Sequence, residues 1–181
     1  MFFLLGIAAG LIAGLALGGS FERLRGLSFR LVPLAVAGLV AQLILFADPV
    51  ALAVSDPVGR LVYTASTLAV FVAVLANVRI PGIPVLAVGA GLNLAAIVAN
   101  GGIMPADPAA AASAGIVPDD AFSNSAIVDN PVLGPITDIF AVPSGLPLAN
   151  VFSIGDILIA VGLAWTIAAA MTRRTGDPLS D

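Results

Sequence analysis

Asp156 opens the last apolar run of the chain, Val151-Phe-Ser-Ile-Gly-Asp-Ile-Leu-Ile-Ala-Val-Gly162, and no other long apolar run carries a carboxylate. A carboxylate at the edge of hydrocarbon is costly unless it is bonded, protonated or used, which makes it a candidate for chemistry. The chemistry within reach is narrow. The chain has no His, Cys or Lys, so disulfides, Cys/His metal sites, His- or Cys-based nucleophiles and Schiff bases are excluded. Ten Asp, one Glu and one Tyr remain as titratable groups besides the arginines. An enzyme acting through these side chains is an aspartate enzyme, and no metal or cofactor is expected.

Paired carboxyls work because two close ones do not both ionise easily: one keeps a proton while the other acts as base toward water. Asp138 is the best second member. It lies in Gly134-Pro-Ile-Thr-Asp-Ile-Phe140, where an acid has Ile and Phe beside it, and residues 139–152 can fold back to bring it to Asp156. A purely structural reading also exists. Ser153-Ile-Gly-Asp156 fits a capping box, in which Ser153 accepts from the amide of Asp156 and Asp156 reaches back to the amide of Ser153. The helix dipole favours an anion there as well.

The elements that must position these residues are read from composition. The 181 residues are 60% hydrophobic and 10% charged, with mean hydropathy +1.11. Soluble domains hold roughly 45–50% apolar and about 25% charged residues, so the sequence reads as an integral membrane protein. A spanning helix needs about 20 apolar residues. Five runs qualify, at about 1–18, 30–47, 61–78, 83–100 and 152–171. The expected fold is an all-α bundle of five transmembrane helices in a single domain over residues 1–181. Arg23, Arg25, Arg30, Arg79, Arg173 and Arg174 fall on one side of these spans and only Arg60 on the other. By the positive-inside rule the N-terminus is outside, the C-terminus is in the cytoplasm, and the location is a bacterial inner membrane. The first run lacks the basic residues that precede the apolar stretch of a secretory signal, and reads as a retained span.

Residues 101–150 are then an external loop with Asp107, Asp119, Asp120, Asp129 and Asp138 and no basic residue. Its first part, 105–126, is rich in Ala, Pro, Ser and Asp and is expected to be mobile. Residues 131–152 mix prolines with apolar residues and are expected to pack on the bundle, with short extended segments.

Gly6, Gly10, Gly14 and Gly18 form a stripe suited to close helix contact, within the chain or with a membrane-protein partner or second copy. Gly89, Asn93, Ala96 and Asn100 share a face of the fourth run. Asn93 reads first as an interhelical hydrogen bond, as do Gln42, Thr64, Ser66 and Thr67. The Gly101-Gly102 pair explains a helix stop, but it does not account for Asn100, a candidate polar support for the aspartates.

The whole chain resembles a family of small bacterial integral membrane proteins known only as a domain of unknown function, through Ala99-Asn-Gly-Gly-Ile-Met-Pro105 and the Val151–Gly162 motif. Residues 126–162 also resemble part of lipoprotein signal peptidase, a membrane aspartyl protease. On that likeness Asp138 and Asp156 fall on the two catalytic aspartates. Asp129, with Gly134 after it, falls on the aspartate of that family's Asn-x-x-Asp-Arg stretch. Ala126, Asn130 and Ser153 stand where that family has Asn, Arg and Asn, which removes groups that position substrate there.

Three functions follow as expectations: an accessory or structural membrane subunit, an aspartate-pair hydrolase at the outer leaflet, or a small-solute or cation pathway. The binding candidates are Asn93, Asn100, Asp129 and Ser153. Membrane lipids are expected partners; no basic patch supports nucleic-acid binding.

Overall fold

Apolar periodicity without polar faces gives long helices in this chain, and the computed structural model is mostly helical, 63% by residue. It describes residues 2–117, 123 and 125–173; Asp119, Asp120 and Arg174 lie outside the described residues. Five apolar helices form the bundle: α1 (Phe2–Ala16), α2 (Val32–Leu45), α4 (Asp56–Leu75), α5 (Ile83–Ala99) and α7 (Ile154–Thr172). Two further short helices lie outside it, α3 (Asp48–Ala51) and α6 (Pro108–Ala114). By length and composition α4 and α7 can each cross a membrane; α1, α2 and α5 are apolar but shorter.

Proline fixes several of these starts. Pro33, Pro49, Pro57, Pro84 and Pro108 all stand in the first turn of a helix, where the missing N–H has no intrahelical partner to lose. This is why α4 begins at Asp56, five residues before the apolar run itself suggests.

Glycine fixes how closely the helices approach. A Cβ on Gly6 would sit 2.7 Å from the Ala160 carbonyl oxygen, and one on Gly10 would sit 2.8 Å from that of Ala164. Gly14 makes room for the Met171 side chain, whose Sδ would lie 2.6 Å from an added Cβ. These contacts rise together in sequence, so α1 and α7 run parallel, and three glycines of the stripe face α7 within the same chain. Gly18 ends the helix at φ +77° with open space beside it. On its other flank α7 packs antiparallel to α5, where Gly82 meets Gly162 and Gly89 meets Gly155. Gly91 rests on Phe71 of α4, and Gly38 of α2 on Ser66 of α4. Phe46 stacks edge-on against Tyr63, 5.7 Å between ring centres. The five apolar helices therefore alternate in direction along the chain.

The alternation sorts the charges. Arg23 bonds the Met171 carbonyl and Arg30 is tied through its backbone to Asn77, which places them at the end of the bundle where α1, α4 and α7 finish. Arg60 lies at the opposite end, beside Asp56.

The described residues of 101–150 cap that second end. The expectation of a mobile 105–126 segment is corrected over its described part. Residues Met104–Ala106 form strand β1, which pairs in parallel with β2 (Ser125–Ile127), and α6 stands between them. Local chemistry explains α6: Asp107 accepts from the amides of Ala109 and Ala110, an alanine run follows, and Gly115 closes the helix at φ +72°. Strands β3 (Phe140–Val142) and β4 (Asn150–Phe152) form an antiparallel hairpin that leads into α7. Ala106, Ala110, Ala111, Ala114 and Val151 form the small core of this cap.

Replacing Gly10 with Leu forces α1 off a backbone atom of α7. Thermal unfolding in mild detergent should show a loss of roughly 1–3 kcal/mol or more. Gly26→Ala, at a position with nothing within 4 Å, should leave stability unchanged.

Candidate functional site

The N-terminus of α7 is built first. Ser153 is fully buried and caps the helix. Its hydroxyl accepts from the Asp156 amide at 3.1 Å, and the Ser153 amide donates to Asp156 Oδ2 at 2.9 Å, a complete capping box. The structural reading of Asp156 is therefore present in full.

Asn93 reaches the same point from α5. Its Nδ2 donates to Asp156 Oδ1 at 2.9 Å. The Ser153 hydroxyl lies 2.8 Å from Asn93 Oδ1 and 3.1 Å from Asp156 Oδ2, and its single proton serves one of them at a time. Gly155 makes the approach possible: a Cβ there would collide with Asn93 Oδ1. The interhelical hydrogen bond expected of Asn93 thus has the carboxylate as its partner.

Asp138 arrives on the cap. Its amide donates to the Pro105 carbonyl, and its carbonyl accepts from the Asp107 amide, both at 3.0 Å. This isolated parallel bridge to Ala106 makes the Asp138 segment a second strand-like neighbour of β1, after β2. Thr137 beside it is fully buried and its hydroxyl donates to the Gly134 carbonyl. Asp138 itself is only 6% exposed. Ser125 of β2 donates to Asp138 Oδ2 at 3.2 Å.

Burial pushes the Asp138 carboxyl up from its ordinary value near 3.8 to about 7; the charge of Asp156 adds to the rise, and the Ser125 hydrogen bond partly offsets it. Segment 139–152 has folded back as a hairpin that leads into α7.

The remaining candidates sit elsewhere. Asn100 donates to the carbonyls of Ala96 and Val132 and accepts from the Val132 amide. It ties the loop to the end of α5, and its hydrogen bonds go to backbone, not to the aspartates. Asp129 is exposed and lines a separate cleft of about 650 Å³ with Asp107, Thr137 and Ile139. Thr137 and Ile139 flank Asp138 in sequence, and neighbours in an extended segment point to opposite faces. Ser125 was not foreseeable, because only the pairing of β1 with β2 brings it to Asp138. Among the described residues no cluster of three or more acidic side chains could hold a metal ion.

The architecture defines a class: a bundle of apolar helices whose one end is capped by a small mixed subdomain with a buried aspartate, over a last helix that opens on a capping aspartate. Residues 26–168 match the model of a family of unknown function (DUF5317), and the chain belongs to that family. The match starts after α1 and takes in Asn93, Asp138, Ser153 and Asp156. No curated protein and no solved structure matches the chain.

The sign of the pH effect on stability follows from Asp138. Unfolded, it ionises near its ordinary value; folded, near 7. Its contribution is fully present below about 3.8 and is lost as pH rises through about 7. Unfolding between pH 5 and 8 should show wild type losing about 2–4 kcal/mol across this window, with a much flatter profile for Asp138→Asn. Ser153→Ala should cost about 1 kcal/mol at any pH in that range through loss of the cap.

Proposed function

We propose that this protein is a five-span inner-membrane protein whose Asp138–Asp156 pair hydrolyses a membrane-bound peptide or related substrate at the outer face. What supports the reading is a buried Asp138 whose carboxyl feels the charge of the capped Asp156. Asp138 is buried, and its proton is retained toward neutral pH by burial and by the charge of Asp156. This is the division of labour that aspartate pairs use.

Several features support the membrane arrangement. The helices alternate in direction, and Leu4, Ile12, Leu43, Leu61 and Trp165 expose more than half of their surface. Arg23 and Arg30 lie at the end opposite the aspartates, and the positive-inside rule then favours an outer position for the aspartates.

In this reading Asp156 takes a proton from water as the oxygen adds to the substrate carbonyl, and Asp138 gives its proton to the carbonyl oxygen. Collapse of the adduct breaks the C–N bond: Asp156 passes its proton to the departing amine, and Asp138 recovers a proton from the hydroxyl as the carbonyl re-forms. A carboxylate offers about four lone-pair sites. Asp156 has two firm donors and one shared with Asn93, which leaves room for water. The likeness of residues 126–162 to lipoprotein signal peptidase points the same way.

A second reading, an accessory membrane subunit, has its own support. Ile116, Val117, Leu146 and Leu148 are exposed on the cap, and the Ser144 amide bonds the Ser113 carbonyl, joining the α6 end to the hairpin. That apolar corner suits a protein partner. A cation relay is the weakest reading, since the apolar helices carry carboxylates only in their first turns.

Two measurements test these points. The chain has no cysteine, so single cysteines report topology. Gly145→Cys should react with an impermeant thiol reagent added outside intact cells, and Arg25→Cys should not. N-terminal profiling of membrane fractions should show peptide ends that depend on the wild-type protein and disappear in both Asp138→Asn and Asp156→Asn. A folded Asp156→Asn protein that still produces those ends rules out the pair as catalyst.

A further inference from the structure

Arg60 is the one arginine at the aspartate-bearing end of the bundle among the described residues. It stands in the first turns of α4 and lines a cleft of about 630 Å³ together with Asp56, Thr64, Val98 and the Gly101-Gly102 turn. The glycines shape this space. Gly102 adopts φ +89°, and a Cβ there would lie 2.9 Å from Arg60 Cβ and 3.0 Å from Thr64 Oγ1. Gly101 leaves the guanidinium open, with Arg60 Nη1 3.8 Å from its own would-be Cβ.

Arg60 is loosely held. Its ionic partner is Asp56 at 3.6 Å, longer than a hydrogen bond, and the two side chains are 39% and 74% exposed. Such a pair contributes little on its own. The walls are of the opposite character: Leu61 and Val98 are 69% and 58% exposed. A forked cation at the helix end with bare aliphatic side chains next to it complements an amphiphile whose head is a phosphate and whose tail is a hydrocarbon chain. Guanidinium matches phosphate oxygens two at a time.

We infer that the Arg60 cleft between α4 and α5 binds the phosphodiester headgroup of a membrane phospholipid, with an acyl chain running along Leu61 and Val98. The inference rests on the reading of the bundle as membrane-spanning and is independent of any role of the aspartates. Asp56 is then a competitor for Arg60, displaced when the phosphate enters.

The test uses the full chain, stripped of lipid in mild detergent. Short-chain phosphatidylglycerol, diacylglycerol with the same chains, and inorganic phosphate are added separately, and retention is read by native mass spectrometry. One phosphatidylglycerol per protein should be retained, with little diacylglycerol or phosphate. Arg60→Gln should weaken retention about ten-fold, and Asp56→Asn should strengthen it. Retention unchanged in Arg60→Gln overturns the proposal. Equal binding of inorganic phosphate overturns the lipid assignment, and equal binding of diacylglycerol overturns the phosphate contact. Should Arg60→Gln fail to fold, Asp56→Asn decides: stronger retention supports the site, and unchanged or weaker retention overturns it. The cysteine labelling above reports separately on the membrane arrangement.

Discussion

Backbone-to-backbone approach at glycine is the constraint on which the rest of this structure depends. α7 is gripped on two flanks, by Gly6, Gly10 and Gly14 of α1 and by the Gly82–Gly162 and Gly89–Gly155 contacts with α5. In the proposed membrane setting there is little hydrophobic drive for apolar helices to associate, and close packing supplies it. The same approach has a chemical result. Because Gly155 carries no side chain, Asn93 reaches the first turn of α7 and bonds Asp156. A packing device thereby sets the position of a carboxylate.

The site has two layers with different physics. Asp156 is held by donors: two amide-type N–H groups and a hydroxyl shared with Asn93. Asp138 is held by its backbone, pinned to β1 on both sides of its own peptide, while its carboxyl has the Ser125 hydroxyl and little solvent. Burial disfavours the charged form of an acid, and this falls on Asp138. One end of a short loop and the start of a helix thus create two unlike environments for the same residue type.

Much of this was legible in the sequence where the cause is local. The apolar runs correspond to the five main helices because composition alone decides them. Ser153 and Asp156 announce their cap by spacing, and Ile139 and Phe140 beside Asp138 signal an acid that is not in a solvated turn. The loop was legible only in its second half. The Ala, Pro and Ser of 105–126 suggested mobility, yet Asp107, Pro108 and Gly115 form a start and a stop around α6, and the core they bury is made of alanines. Ser125 and the partner of Asn93 stayed hidden, since each depends on contacts between segments far apart in the chain. Asn100 suggested support for the aspartates because it lies on the face of Asn93; its actual bonds run to Val132.

The pairing of α1 with α7 joins two helices separated by nearly the whole of the described sequence. The glycine face of α1 meets its counterpart only after α2, α4 and α5 have been made. Contacts of such long sequence separation form late, since loop closure precedes any reward. The α1–α7 interface is therefore among the last to close, whereas the first turn of α7, with Asp156, is set by its own cap and by Asn93 of α5. A chain shortened at either extremity loses the same interface.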